Sequence, residues 1–501
     1  MTNVSNNKER LAVDLNRGAP AKDGPKIAVV FVCAFVAVLL APFVCMPFAS
    51  SDPSSEKREL APAPQLMVDG ALNTNVLADA GNYFSDHFAF RSLLVDADAT
   101  IKQCLFMTSA TQNVVVGNNG WLYYAGTLND YQRKNDMTEH ALANAATNIA
   151  IMQEYFSAQG KQFVLAIAPN KNELYAQNMP YYELKGEGAS NAERLKPLLD
   201  ARGVHYVNLH EAFRNAGETL YFERDSHWND KGALLAYGAI MGGLGQEGKD
   251  FAHGTWVTDD HVGDVEGMLH PEYPMVEKQT RPEGADAYQI TNDATNVEDN
   301  YLITKASEPD AQGSLIMYRD SFGNNLIPYF ASTFGQAVFT KLVPYDMGVR
   351  MTGFATNVVV ERTERHLAFF ASDPPYLPSP ERELADPDEW RDGKSTVFTS
   401  ENGPYLVVEG TLDDTVVAEG EPVYVRVDAD EATYCCEAFR VSEPDPTTAD
   451  FEGDSSATSG HIVGDWGYRA FIPLDEVQGA GDLHVQVLVG DENAPSVVCE
   501  A

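Results

Sequence analysis

Two short segments carry the residue types that acyl transfer needs. In ERDSHWNDKGALLAYGAI, Asp225 and His227 stand two residues apart, just before a run with helical periodicity. In SLIMYRDSFGNN, an apolar run ends at Asp320 and Ser321 and enters a turn that contains glycine. A serine at the carboxyl end of a parallel strand holds its hydroxyl at the crevice where ligands bind, and its backbone N–H can face a developing oxyanion. A histidine accepts the serine proton, and a carboxylate fixes the imidazole tautomer and steadies the imidazolium. Loops can bring three such groups together from distant positions. Each residue also has a plainer use: Ser321 and Asp225 as caps of turns or helices, and His227 as a surface imidazole.

Other polar residues fall at similar places. Asn324 offers a side-chain amide to an oxyanion, or simply forms the turn. Asn170 and Lys171 follow the apolar run QFVLAIAP and so belong on the same rim, where an amide can donate and an ammonium can attract a carboxylate; the alternative is an ordinary loop. Arg362 and Arg365 end a further strand-like run, where they meet a substrate or pair with acidic neighbours. No HExxH or CxxC pattern is present, and no GxGxxG or P-loop sequence supports nucleotide binding, so no catalytic metal, cofactor or nucleotide is expected.

The elements that must position these residues read as an α/β domain. Short apolar runs at 162–169, 204–209 and in SLIMYRDSF, QAVFTKLVP and NVVVERTER have the length of strands buried on both faces. Helical periodicity separates them at 140–159 and 230–244. The fold class expected is therefore a mainly parallel sheet flanked by helices. Runs at 113–116 and 121–124 flank GNNG as a hairpin would, and 74–106 is helical and amphipathic. The stretch from 245 to about 310 is irregular and acidic. Beyond 370 comes a proline-rich acidic connector, and then short alternating runs (PYLVVEG, PVYVRVDA, YRAFIPL, LHVQVLVG) spaced like the strands of a β-sandwich.

Residues 27–48 carry no charge and, at about 20 residues per membrane span, are long enough for a transmembrane helix. Arg17, Lys22 and Lys26 precede this segment and Asp52 and Glu56 follow it, which places the N-terminus in the cytoplasm and the rest outside. A cleaved signal peptide is the rival reading. The 501 residues hold 35 basic against 73 acidic side chains, a formal charge of −38, which excludes nucleic acid as a good partner. In an oxidising compartment Cys499 has Cys435 or Cys436 as candidate disulfide partners.

DSHW followed by N-x-x-G-A, with a later strand-borne DSFG, resembles the DHHW family and the alginate O-acetyltransferase-like branch of the SGNH hydrolases. GWLYY (120–124), APNKNELY (168–175), HVGDVEGML (261–269) and NVVVERTERHL (357–367) match that group in the same order, over roughly residues 75–370. The resemblance implies Ser321 as nucleophile, His227 as general base and Asp225 as its orienting carboxylate. Ser226 stands where the namesake motif has a second histidine. The resemblance further implies O-acetylation of cell-surface or secreted polysaccharide, with a membrane-bound O-acyltransferase as the acetyl-donor partner. Two alternatives stay open: a carbohydrate O-acetyl esterase, and a non-catalytic protein that binds polysaccharide or organises an assembly. The expected organisation is a cytoplasmic tail (1–26), a transmembrane anchor (27–48), a linker (49–73), an SGNH-like catalytic domain (74–370), a proline-rich linker (371–395) and a β-sandwich-like domain (396–501).

Overall fold

Alternate residues of the central strands go to opposite faces, and both faces are covered. The computed structural model describes residues 24–46, 61–68, 71–387, 389–429, 432–443, 464–477 and 483–501. The tail at 1–23, its Arg17 and Lys22, and most of the linker after residue 46 lie outside the described residues.

The described residues up to 97 form one compact unit. It contains α1 (Gly24–Cys45), which is long and apolar enough to cross a membrane, and α2 (Val76–Asp86). The described residues from 98 to 501 form the second unit. Its first strands, Val114–Val116 and Leu122–Tyr124, pair antiparallel as the hairpin around GNNG.

The central sheet has seven strands. In chain order, its strands and the hairpin inserted among them are β1 (Gln162–Ala168), β2 (Tyr206–Val207), β3 (Trp256–His261), β4 (Glu277–Pro282), β5 (Tyr288–Ile290), β6 (Tyr301–Ala306), β7 (Ser314–Tyr318), β8 (Gln336–Thr340) and β9 (Asn357–Thr363). The sheet order is β2-β1-β9-β7-β8-β6-β5, while β3 and β4 make a separate antiparallel pair. The sheet is mixed: β2, β1, β9, β7 and β8 run parallel, and β6 and β5 add an antiparallel edge.

On β1, Phe163, Leu165 and Ile167 face one apolar cluster, which includes Leu142, Ile149 and Met152 of α3 (Glu139–Ala158). Val164, Ala166 and Ala168 face the other, with Ala233, Ala236 and Ile240 of α4 (Asp230–Gly243). The same alternation recurs at Ile316 and Met317 of β7 and at Val358 and Val359 of β9. Each buried large aliphatic contributes about 1.5–3 kcal/mol, so the strands are held from both sides and their carboxyl ends form a firm rim.

The C-terminal region is β-rich. One five-stranded sheet orders as Glu389–Trp390, Ala494–Glu500, Leu483–Asp491, Val423–Ala429 and Ala432–Glu437. A four-stranded sheet orders as Phe398–Asn402, Tyr405–Thr411, Gly467–Pro473 and Phe439–Val441. Buried residues of both form a single cluster, and Val407, Phe439 and Phe471 also join the cluster beside α3. The proline-rich stretch before these sheets is packed at Leu377, which is fully buried, and at Ser379, whose N–H donates to the Phe471 carbonyl at 2.9 Å.

The cysteine pairing does not form: Cys435, Cys436 and Cys499 are free thiols. Strand order explains this. Two strands separate Ala494–Glu500 from Ala432–Glu437, which sets Cys499 about 14 Å from either partner at the usual strand spacing, beyond the reach of a disulfide.

Candidate active site

Ser321 follows β7 directly. Asp320 caps the short turn Ser321–Asn325 by accepting from the Phe322 N–H at 2.9 Å, and its other oxygen accepts from the Thr363 N–H at 2.7 Å and from His366 Nδ1 at 3.1 Å. Burial would raise this carboxyl, but His366 and the nearby Arg365 and Arg362 hold it far below the usual carboxylate range. Asp320 thus ties the end of β7 to the end of β9 and leaves its neighbour's hydroxyl free to face elsewhere.

The Asp225–His227 loop lies just before α4. Asn229 caps that helix by accepting from the Gly232 N–H at 3.0 Å. Gly232 has to be small, because a Cβ there would sit 2.3 Å from the Leu220 carbonyl oxygen. Trp228 is fully buried and packs edge-on against Phe322 with centroids 5.1 Å apart. The Asn325 amide donates to the Trp228 carbonyl at 2.9 Å. These contacts join the two loops next to Ser321 and His227.

His227 bridges the two segments. Its Nε2 lies 2.9 Å from Ser321 Oγ and its Nδ1 lies 2.8 Å from Asp225 Oδ1, which also accepts from the His227 N–H at 2.8 Å. Burial would raise the Asp225 carboxyl, yet the hydrogen bonds and charge of His227 and His261 hold it well below its ordinary value. Burial would likewise lower the His227 imidazole, and Asp225 outweighs that and raises it. The tautomer that fits carries its proton on Nδ1 toward Asp225 and accepts a hydrogen bond from the Ser321 hydroxyl at Nε2.

Ser321 also lines a cavity of about 150 Å³ together with Asn300, Arg319, Lys341, Arg362 and His366. Arg362 lies over the Phe369 ring at 4.7 Å. The lining holds Arg319, Lys341 and Arg362 against the single carboxylate of Asp320, although the chain as a whole is strongly acidic.

Three residues expected on the rim lie elsewhere. Lys171 is buried, and its ammonium donates to the carbonyls of Leu122, Glu223 and Asp225 at 2.6, 2.8 and 2.9 Å. Burial lowers it to about 7. All three of its protons are committed to backbone, so it braces the Asp225 loop and cannot attract a ligand carboxylate. Asn170 is wholly buried; it donates to Asp130 Oδ2 at 2.8 Å, and its N–H donates to Glu364. Asn324 accepts from Arg319 through its side-chain oxygen and does not line the cavity.

Other residues reach the site unannounced. HVGDVEGML was legible as a matching segment but carried no role. It folds as the end of β3, a turn and α5 (Asp264–Leu269), and it presses onto residues 224–227. His261 Nε2 lies 2.9 Å from Asp225 Oδ2, and the Asp264 N–H donates to the same oxygen at 3.0 Å. Asp264 in turn accepts from the Ser226 N–H at 2.7 Å and from the Ser226 hydroxyl. Glu266, fully buried, accepts from Arg224 Nε at 2.7 Å.

Gly263 makes this approach possible, since a Cβ there would meet the Arg224 carbonyl oxygen at 2.3 Å and the Asp225 nitrogen at 2.9 Å. Gly263→Ala is therefore expected to destabilise the fold by about 1–3 kcal/mol through backbone overpacking, read as a fall in Tm. An unchanged Tm would show that the turn moves aside at no cost.

Asp225, His227 and Asp264 also present ligand atoms within 4.8 Å of one another, as a metal site would. Asp225 and Asp264 are already hydrogen-bonded acceptors, and His227 Nδ1 is committed to Asp225. A metal would have to break the bridge to Ser321's partner.

A serine hydroxyl, an imidazole and a carboxylate at the carboxyl edge of a five-strand parallel core define an SGNH hydrolase-like layout. Residues 114–312 match the family model described as SGNH hydrolase-like domain, acetyltransferase AlgX, a range that holds Asp225, His227 and His261 and ends before Ser321. The chain is similar to the probable alginate O-acetylase AlgJ of Pseudomonas fluorescens, 22% identical over 272 residues, which cover 52% of this chain and 66% of that protein. The match thus spans slightly less than two thirds of that relative's length. Among solved structures, a DHHW family protein from Eubacterium siraeum is 16% identical with a TM-score of 0.38, covering 51% of this chain and 97% of its own. The O-acetyltransferase domain of Pseudomonas putida AlgJ is 16% identical with a TM-score of 0.35, covering 51% and 92%. The resemblance to the DHHW and alginate O-acetyltransferase-like SGNH group, read from DSHW and DSFG, is borne out.

Proposed function

We propose that the chain is a membrane-anchored, extracytoplasmic O-acetyltransferase that acts on cell-surface or secreted polysaccharide through an acetyl-Ser321 intermediate. The observation that carries this reading is the hydrogen-bonded series Ser321–His227–Asp225 beside an open cavity. Ser321 Oγ attacks the donor's acetyl carbonyl while His227 Nε2 takes the hydroxyl proton, and the imidazolium then protonates the departing group. In the second half a sugar hydroxyl gives its proton to His227 and attacks acetyl-Ser321. The sugar acetate leaves, and the proton returns to Ser321. Asp225 holds the ring and balances its transient charge.

The cationic lining favours an acceptor that bears carboxylates, in keeping with a relative named as an alginate O-acetylase. A membrane-bound O-acyltransferase is the donor partner this reading carries, with α1 as the anchor and the β-rich region after residue 396 as a sandwich-like accessory domain.

The competing reading is hydrolysis, in which water replaces the sugar hydroxyl. Incubating the full chain with p-nitrophenyl acetate and an acidic oligosaccharide separates the two. Transfer predicts an oligosaccharide heavier by one or more acetyl groups. Free acetate beside an unchanged oligosaccharide, at every acceptor concentration, would make the protein an esterase.

A further inference from the structure

Asp225 is engaged from both sides. Oδ1 serves His227 alone, through its N–H and Nδ1, both at 2.8 Å. Oδ2 serves His261 Nε2 at 2.9 Å and the Asp264 N–H at 3.0 Å. We propose that His261 is a positioning residue for the triad, which holds the Asp225 carboxylate against His227 and shares its charge. The proposal rests on reading Ser321, His227 and Asp225 as the acyl-transfer groups.

A carboxylate turns easily about its terminal bond, so a donor on one oxygen alone fixes its plane weakly. His261 is built to supply the second anchor. It ends β3 and stacks on Phe222 with centroids 4.2 Å apart and planes 25° from parallel. It stands opposite Glu277 of β4, whose carboxylate accepts from the Glu223 and Arg224 N–H groups, both at 2.8 Å. Gly263 then lets the following turn reach the Asp225 backbone. Every one of these contacts converges on residues 222–225.

The charges around the two imidazoles differ. Asp225, Glu277 and Asp264 all act on His261, which also neighbours Asp230. Burial opposes protonation of His261, but Asp225 outweighs it and raises the ring. His227 faces Asp225 and Asp264 but also Arg365, which opposes its protonation. Two rings on one carboxylate titrate as a pair. A proton on His261, the more exposed ring at 24% against 18%, makes a second proton on His227 less favourable. His227 therefore stays neutral, and able to accept the Ser321 proton, at lower pH than it would with Asp225 to itself.

The test uses two variants of the full chain. His261→Phe keeps the stack on Phe222 and removes the donor, whereas His261→Gln keeps a donor and cannot be protonated. The rate at which a serine-reactive phosphonate labels Ser321 is measured against pH, and the His227 ring is titrated by NMR. The Phe variant is expected to lose about tenfold in plateau rate through misplaced geometry, and Gln is expected to retain most of it. Both should move the acid limb, and the His227 titration, to higher pH. An unmoved titration in both variants, or equal plateau losses in Phe and Gln, would reduce His261 to a packing residue. If wild type failed to label at Ser321, the acyl-transfer reading would fall, and the imidazole titration would still decide the role of His261.

Discussion

Replacing Ser321 with Ala is expected to abolish labelling by a serine-reactive phosphonate and to cut acetyl-ester turnover by at least about 10³-fold. The hydroxyl is the group that His227 Nε2 faces, at 2.9 Å. The other hydroxyl near the imidazole, that of Ser226, lies 3.2 Å from Nδ1 and donates to Asp264 Oδ2. It has no route to the basic nitrogen, so Ser226→Ala should keep its labelling and serves as the control. The Ser321→Ala fold should survive, because only one side-chain hydrogen bond is lost, at a net cost of about 1 kcal/mol. Intact-mass analysis reads the adduct directly. An adduct of wild-type yield on the Ala variant would show that the nucleophile is another residue.

Much of this arrangement is written locally in the chain, and the remainder is not. D-x-H and DSFG were legible because they occur in the order of the DHHW-like group, one before a helix and one at a strand end; each residue alone reads equally well as a cap or a surface group. The strands at 162–168, 314–318, 336–340 and 357–363 were legible because apolar residues on both faces require cover on both faces. Pairing direction is a different matter. β6 (YLITKA) adds antiparallel to β8 out of a stretch that reads as irregular, and no local pattern states which way a neighbour runs.

The β3–β4 hairpin is hidden for a related reason. WVTDDH is mostly exposed and EKQTRP mostly half-buried, so neither shows the alternation that marks a strand with one buried face. That hairpin carries His261 to Asp225. Lys171 fails differently. Its place after β1 is read correctly, but the hairpin at 114–124 supplies Leu122 as one of three carbonyls that absorb the ammonium. Local sequence places a residue on a rim; distant chain decides whether the rim is open there.

The Asp225→Asn variant should show the sharpest consequence of that distant architecture. Asp225 accepts four hydrogen bonds, two on each oxygen. An asparagine offers one oxygen and one amide nitrogen, so one backbone N–H, of His227 or of Asp264, must face an amide N–H. With the amide oxygen toward His227, the backbone N–H of Asp264 faces a donor, and His261 keeps its contact only by turning Nε2 into an acceptor. With the oxygen turned the other way, the His227 N–H is opposed, and the ring must switch its proton to Nε2. A ring in that tautomer cannot take the Ser321 proton. Turnover is therefore expected to fall by about 10⁴-fold, most of it in kcat.

The pH dependence adds a signature that misfolding would not produce. Asp225 raises the His227 imidazole, and activity needs that ring neutral, so activity is lost as pH falls through its titration. Removing the carboxylate charge moves this acid limb to lower pH, the direction opposite to the shift expected for the His261 variants. Residual turnover of Asp225→Asn measured across pH, beside wild type and His261→Gln, reads both displacements in one experiment. A limb that stays in place in Asp225→Asn would mean that His227 does not depend on Asp225 for its basicity, and the triad would lose its third member.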